Sequence, residues 1–68
     1  MKVSARNQIR GTVTEIKEGA VEAQVSIDVR GQTIVSVVTM DAVASLGLEV
    51  GSTAIALIKA DSVMLATD

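Results

Sequence analysis

Residues 20–30 alternate without a break: Val21, Ala23, Val25, Ile27 and Val29 are separated by Glu22, Gln24, Ser26, Asp28 and Arg30. Successive side chains of an extended chain point to opposite faces, so this period of two specifies a half-buried strand. The stretch before it, 8–17, is rich in β-branched residues and reads as a second strand. Glu18-Gly19 between the two is a hairpin turn, so an antiparallel pair is expected.

Beyond a second turn at Arg30-Gly31-Gln32, the run 33–40 is apolar on both faces, with Ile34, Val38 and Met40 on one and Val35 and Val37 on the other. Both faces need cover, one from the core and the other from a neighbouring subunit. Asp41 is a good N-cap for a short helix over 42–46, which Gly47 ends. After a loop at 49–52, two further strands are expected at 53–60 and 62–67, bent apart near Asp61. This is the element order of an all-β fold, a small OB-like five-stranded barrel with one short helix. With no linker, repeat or low-complexity stretch, 1–68 is expected to be a single domain.

A domain of 68 residues buries only about 60% of the surface its unfolded chain exposes. Nothing in the composition staples it covalently or through zinc: Cys, His, Phe, Tyr and Trp are all absent. Yet 49% of the residues are hydrophobic and the mean hydropathy is +0.47, more apolar surface than one small core absorbs. Assembly into an oligomer is the remaining way to stabilise such a chain.

The net charge of −2 argues against nucleic acid or an anionic membrane surface as partner, since both are held through a positive field. The lack of aromatics removes the base-stacking on which OB-like nucleic-acid binders rely. No apolar run approaches the ~20 residues of a membrane span. Arg6, Arg10 and Lys17 interrupt any signal-peptide core, so a cytoplasmic location is expected.

Two polar clusters remain, Ser4-Ala5-Arg6-Asn7-Gln8 and Lys59-Ala60-Asp61-Ser62. Each offers one cation beside hydroxyls and backbone N–H groups, the donors that a tetrahedral oxyanion accepts from. The plainer alternative is that Arg6 and Lys59 are solvated surface charges. Lys59 stands between Ile58 and Ala60 in a strand-like run, however, and a lysine with apolar neighbours needs water or an anion for its ammonium. Thr39 lies just before the short helix, whose first N–H groups favour anions, although it equally reads as an ordinary strand residue. Ser62 is either a further donor or local turn chemistry. Catalysis is not expected. A Ser-Lys dyad using Ser4 or Ser62 is formally available, but there is no histidine and the acidic residues show no paired or metal-binding spacing.

The segments MKVSARNQIRG (1–11), LGLEVG (46–51) and IKADSVMLAT (58–67) resemble the molbindins, the single-domain molybdate-binding proteins of the Mop family, TOBE/Mop-like in type. The resemblance spans essentially the whole chain. It implies an OB-like barrel that assembles as a hexamer, a trimer of dimers, holding molybdate or tungstate between subunits with no organic cofactor. It implies Ser4, Ala5, Arg6 and Asn7 as ligands from one chain, with Lys59, Ala60 and Ser62 and with Thr39 before the helix, so the two clusters are expected to meet across a subunit boundary. Some tandem relatives also use a serine three residues after that threonine; Ala42 stands there in this chain and removes any side-chain contact. A second kind of oxyanion site, on the threefold axes, has the turn Gly19, Ala20, Val21 and Glu22 as its candidate lining.

The function expected is cytoplasmic molybdate or tungstate binding for molybdenum storage and homeostasis, without enzyme activity. The alternative is a ligand-responsive interaction or regulatory module whose exposed apolar strand face docks a larger protein.

Overall fold

The computed structural model describes all 68 residues. Four strands, β1 (Asn7–Glu18), β2 (Glu22–Val29), β3 (Gln32–Thr39) and β4 (Thr53–Ile58), are joined by one helix, α1 (Met40–Leu46), and followed by a 3₁₀ turn at Ala60–Ser62. They form one antiparallel sheet in the order β3-β2-β1-β4.

The long strand β1 is the spine. Its first half pairs with β4, from Asn7↔Ile58 to Thr12↔Thr53, and its second half pairs with β2, from Thr12↔Asp28 to Glu18↔Ala23. A register shift between Val13 and Glu15 marks a β-bulge at the point where the partner changes, and bulges bend the strand that carries them. The sheet therefore curls into a half-barrel. Gly11 sits at the same crossover, where a Cβ would lie 2.6 Å from the Asp28 carbonyl oxygen, so only glycine allows β1 and β2 to approach this closely.

The alternating residues of β2 behave as their period requires: Ala23, Val25 and Ile27 are buried and form the core with Val13 and Val43. On β3, Ile34 and Val38 pack against this core, while Val35 and Val37 on the other face are 54% and 62% exposed. β3 and β4 are the two sheet edges, and between them the concave side opens as an apolar trough of 660 Å³ lined by Ile34, Val38, Leu48, Ile55 and Leu57 among others.

Three expectations are corrected. No fifth strand forms at 62–67: this stretch pairs with neither sheet edge, a strand without a partner leaves its backbone groups to water, and Met64 and Leu65 are almost fully exposed. β4 ends at Ile58, so Lys59 lies just past the strand rather than within it. The helix begins two residues earlier than Asp41 would start it. Thr39 is its N-cap, in extended backbone with its hydroxyl accepting from the Ala42 N–H at 3.0 Å; Met40 joins the helix and Asp41 falls in the first turn. The reason is non-local: β2 holds Thr39 in the sheet through Glu22↔Thr39, and the helix starts where that pairing stops. Gly47 ends the helix as expected, in the left-handed conformation at φ 64°.

Candidate functional site

The first polar cluster and the last meet within one chain. Asn7 and Ile58 are the outermost paired residues of β1 and β4, and the Asn7 side-chain Nδ2 donates to the Ile58 carbonyl at 3.1 Å. Arg6 and Lys59 are the next residues outward from that pair, just beyond the end of the ladder, and so lie at the same corner of the sheet. Both side chains are exposed, and neither has an acidic partner, the single ion pair of the chain being Lys17 with Glu15 at 3.9 Å. Two like charges brought to one corner repel. An anion placed between them relieves that repulsion and gains charge-assisted hydrogen bonds from both.

The surrounding backbone is shaped for the same corner. Gln8 Nε2 donates to the Ala5 carbonyl at 2.9 Å, holding the segment with Ser4, Ala5 and Arg6 in a turn ahead of the ladder. On the other side Lys59 leads into the 3₁₀ turn, where the Ser62 N–H donates to the Lys59 carbonyl at 2.9 Å. The N–H groups of Ala60 and Asp61 precede the first bond of that turn and so have no partner within it. Sequence reasoning noticed Gln8 only as part of a motif; its spacing of three from Ala5, typical of side chain-to-backbone turns, was the available signal.

Thr39 lies in a second corner. It pairs with Glu22, the Met40 N–H donates to the Val21 carbonyl at 2.8 Å, and the Gly19 N–H donates to the Glu22 carbonyl at 2.8 Å. The turn of Gly19, Ala20, Val21 and Glu22 is thus packed beside Thr39. Its Gly19 N–H is already committed, and a Cβ on Gly19 would meet the Glu22 oxygen at 2.7 Å. The Thr39 oxygen accepts from Ala42, which leaves its own proton free to donate outward.

The two corners are at opposite ends of β1. Asn7 opens that strand and Glu18, next to the Gly19 turn, closes it; at roughly 3.3 Å per residue the contour between them is on the order of 36 Å. One chain therefore unites Arg6, Asn7 and Lys59 but does not bring Thr39 to them. The expectation that two separate sequence ends meet only in an assembly is corrected on this point: the ends meet in the single chain, and Thr39 is the residue that stands apart.

The model of the TOBE domain matches residues 3–65. The chain is 49% identical over 69 residues to a probable molybdenum-pterin-binding protein of Haemophilus influenzae, covering both chains completely. Among solved structures it is similar to a molybdate-binding protein from Sporomusa ovata, with 39% identity and a TM-score of 0.93 over 98% of this chain and 100% of that one. It is also similar to the cytoplasmic molybdate-binding protein ModG with molybdate bound, at 48% identity and a TM-score of 0.89, covering 94% of this chain and 46% of the other.

Proposed function

The chain belongs to the TOBE-domain family, as one of its Mop molbindins, and from that premise we propose that it binds molybdate or tungstate without catalysing a reaction. The observation that carries this reading is that Arg6 and Lys59 flank the last pair Asn7↔Ile58 at one corner of the sheet and that neither is ion-paired. Two cations match the charge of a tetrahedral dianion, and its four oxygens accept the further donors at Ser4, Ala5, Asn7, Ala60 and Ser62. Relatives named for molybdate and molybdenum-pterin binding over the full chain length support it.

The site is completed by a second copy. Thr39 lies at the far end of β1 from the cation corner, so its outward-facing hydroxyl serves an oxyanion held by Arg6 and Lys59 of a neighbouring copy. The assembly proposed is a hexamer, a trimer of dimers, and the role proposed is storage and homeostasis of molybdenum in the cytoplasm. No helix is long and apolar enough to cross a membrane. The turn of Gly19, Ala20, Val21 and Glu22 is the candidate for a second oxyanion position; the Glu22 carboxylate beside it makes that position the weaker of the two. The exposure of Val35 and Val37 favours one further reading, in which the loaded assembly docks a larger protein through that face.

Calorimetric titration with sodium molybdate, with the mass in solution measured alongside, tests the main reading. An oligomer that takes up molybdate is expected. A monomer that releases no heat with molybdate or tungstate contradicts both the ligand and the assembly.

A further inference from the structure

Gln8 lies on the solvent face of β1, where the neighbouring positions Asn7 and Ile9 are half-buried and Gln8 itself is exposed. It is exposed and takes no part in the core, so core packing does not explain a long amide side chain here. Its one hydrogen bond runs backward, from Nε2 to the Ala5 carbonyl at 2.9 Å. A carbonyl only accepts, so the amide nitrogen must face it. The segment thus held has no other support of this kind: strand pairing begins only at Asn7, and the bond from Asn7 Nδ2 to the Ile58 carbonyl ties the strand ends together without fixing the residues before them.

We propose that Gln8 is a positioning residue of the oxyanion site: by pinning the Ala5 carbonyl it fixes the turn that carries Ala5 and Arg6, and so sets the width of the cage and its discrimination among tetrahedral dianions. The inference rests on the oxyanion reading given above and deepens it. Molybdate and sulfate share charge and shape and differ in size, so a site separates them through the spacing of its donors rather than through its net charge. That spacing is only as well defined as the segment carrying Arg6, and a donor positioned by supporting hydrogen bonds holds it more tightly than a free loop does. Gln8 does not touch the anion. Its effect is transmitted through the Ala5 carbonyl and the backbone that follows.

The test is titration of the wild-type protein, Gln8→Met and Gln8→Lys with sodium molybdate, with sodium sulfate as competitor and the oligomer mass measured for each. Methionine keeps the length and loses the donor; lysine keeps a donor and adds a charge that acts on both dianions alike. For Gln8→Met, molybdate binding is expected to weaken about fivefold, the worth of one ordinary hydrogen bond, with sulfate binding unchanged and the mass unchanged, so that the preference narrows by the same factor. For Gln8→Lys, the wild-type preference is expected to return while both anions bind more tightly. A wild-type protein that prefers molybdate, together with a Gln8→Met variant of unaltered preference, overturns the role of Gln8 alone. A wild-type protein that binds neither anion overturns the oxyanion site and this role with it.

Discussion

Arg6 and Lys59 bring two positive charges to a corner where neither is ion-paired. Replacing either with alanine removes a charged donor, and hydrogen bonds to charged groups are worth about 1.5–3 kcal/mol. Arg6→Ala and Lys59→Ala are therefore each expected to weaken molybdate binding by about tenfold or more in a calorimetric titration. Normal binding by both would put the site elsewhere. Gly11 is a different kind of residue, one whose importance is wholly steric. The Cβ of Gly11→Ala would stand 2.6 Å from the Asp28 carbonyl and 2.9 Å from the Val29 side chain, a clash that must push β1 and β2 apart at their crossover. A loss of about 1–3 kcal/mol, the usual cost of overpacking, is expected in denaturant unfolding.

At the scale of elements, the helix α1 is short and depends on its ends. Thr39→Val keeps the shape and β-branching of the strand residue but removes the oxygen that accepts from Ala42, so a loss of about 1 kcal/mol of stability is expected, visible as a lowered thermal midpoint. What sequence reveals and conceals divides at this level. The strand β2 is legible because its period is local, and burial of Ala23, Val25 and Ile27 follows directly from it. The start of α1 is not, because Thr39 and Asp41 are both competent caps and the choice falls to pairing with Glu22, seventeen positions away by the register 22↔39. The run 62–67 has a strand's composition, but a strand also needs an edge to join, and in one chain this run joins none. For the site, residue types were legible and their grouping was not. That Asn7 meets Ile58, with Arg6 and Lys59 next to them, while Thr39 stands apart follows from the registers of β1 and β2 with their neighbours, which no short window contains.

The whole molecule carries more apolar surface than its own core uses. The trough of 660 Å³ between β3 and β4, the exposed pair Val35 and Val37, and the almost fully exposed Met64 and Leu65 together exceed the scattered exposure usual for a monomer. Cover by further copies couples folding to association, so the thermal midpoint is expected to rise with protein concentration across a dilution series; a midpoint independent of concentration would argue for a self-sufficient monomer. The same association is the one proposed to carry Thr39 of one copy to Arg6 and Lys59 of another. Complementation measures this directly. A chain with both Arg6→Ala and Lys59→Ala is refolded together with a Thr39→Val chain, and the mixture is titrated with molybdate beside each variant alone. A site shared between two copies in a symmetric pair leaves one intact site in every mixed pair, so full-affinity sites should reappear at about a quarter of the wild-type number. A site built within one chain leaves every site damaged, and a mixture with no full-affinity binding would contradict the shared site.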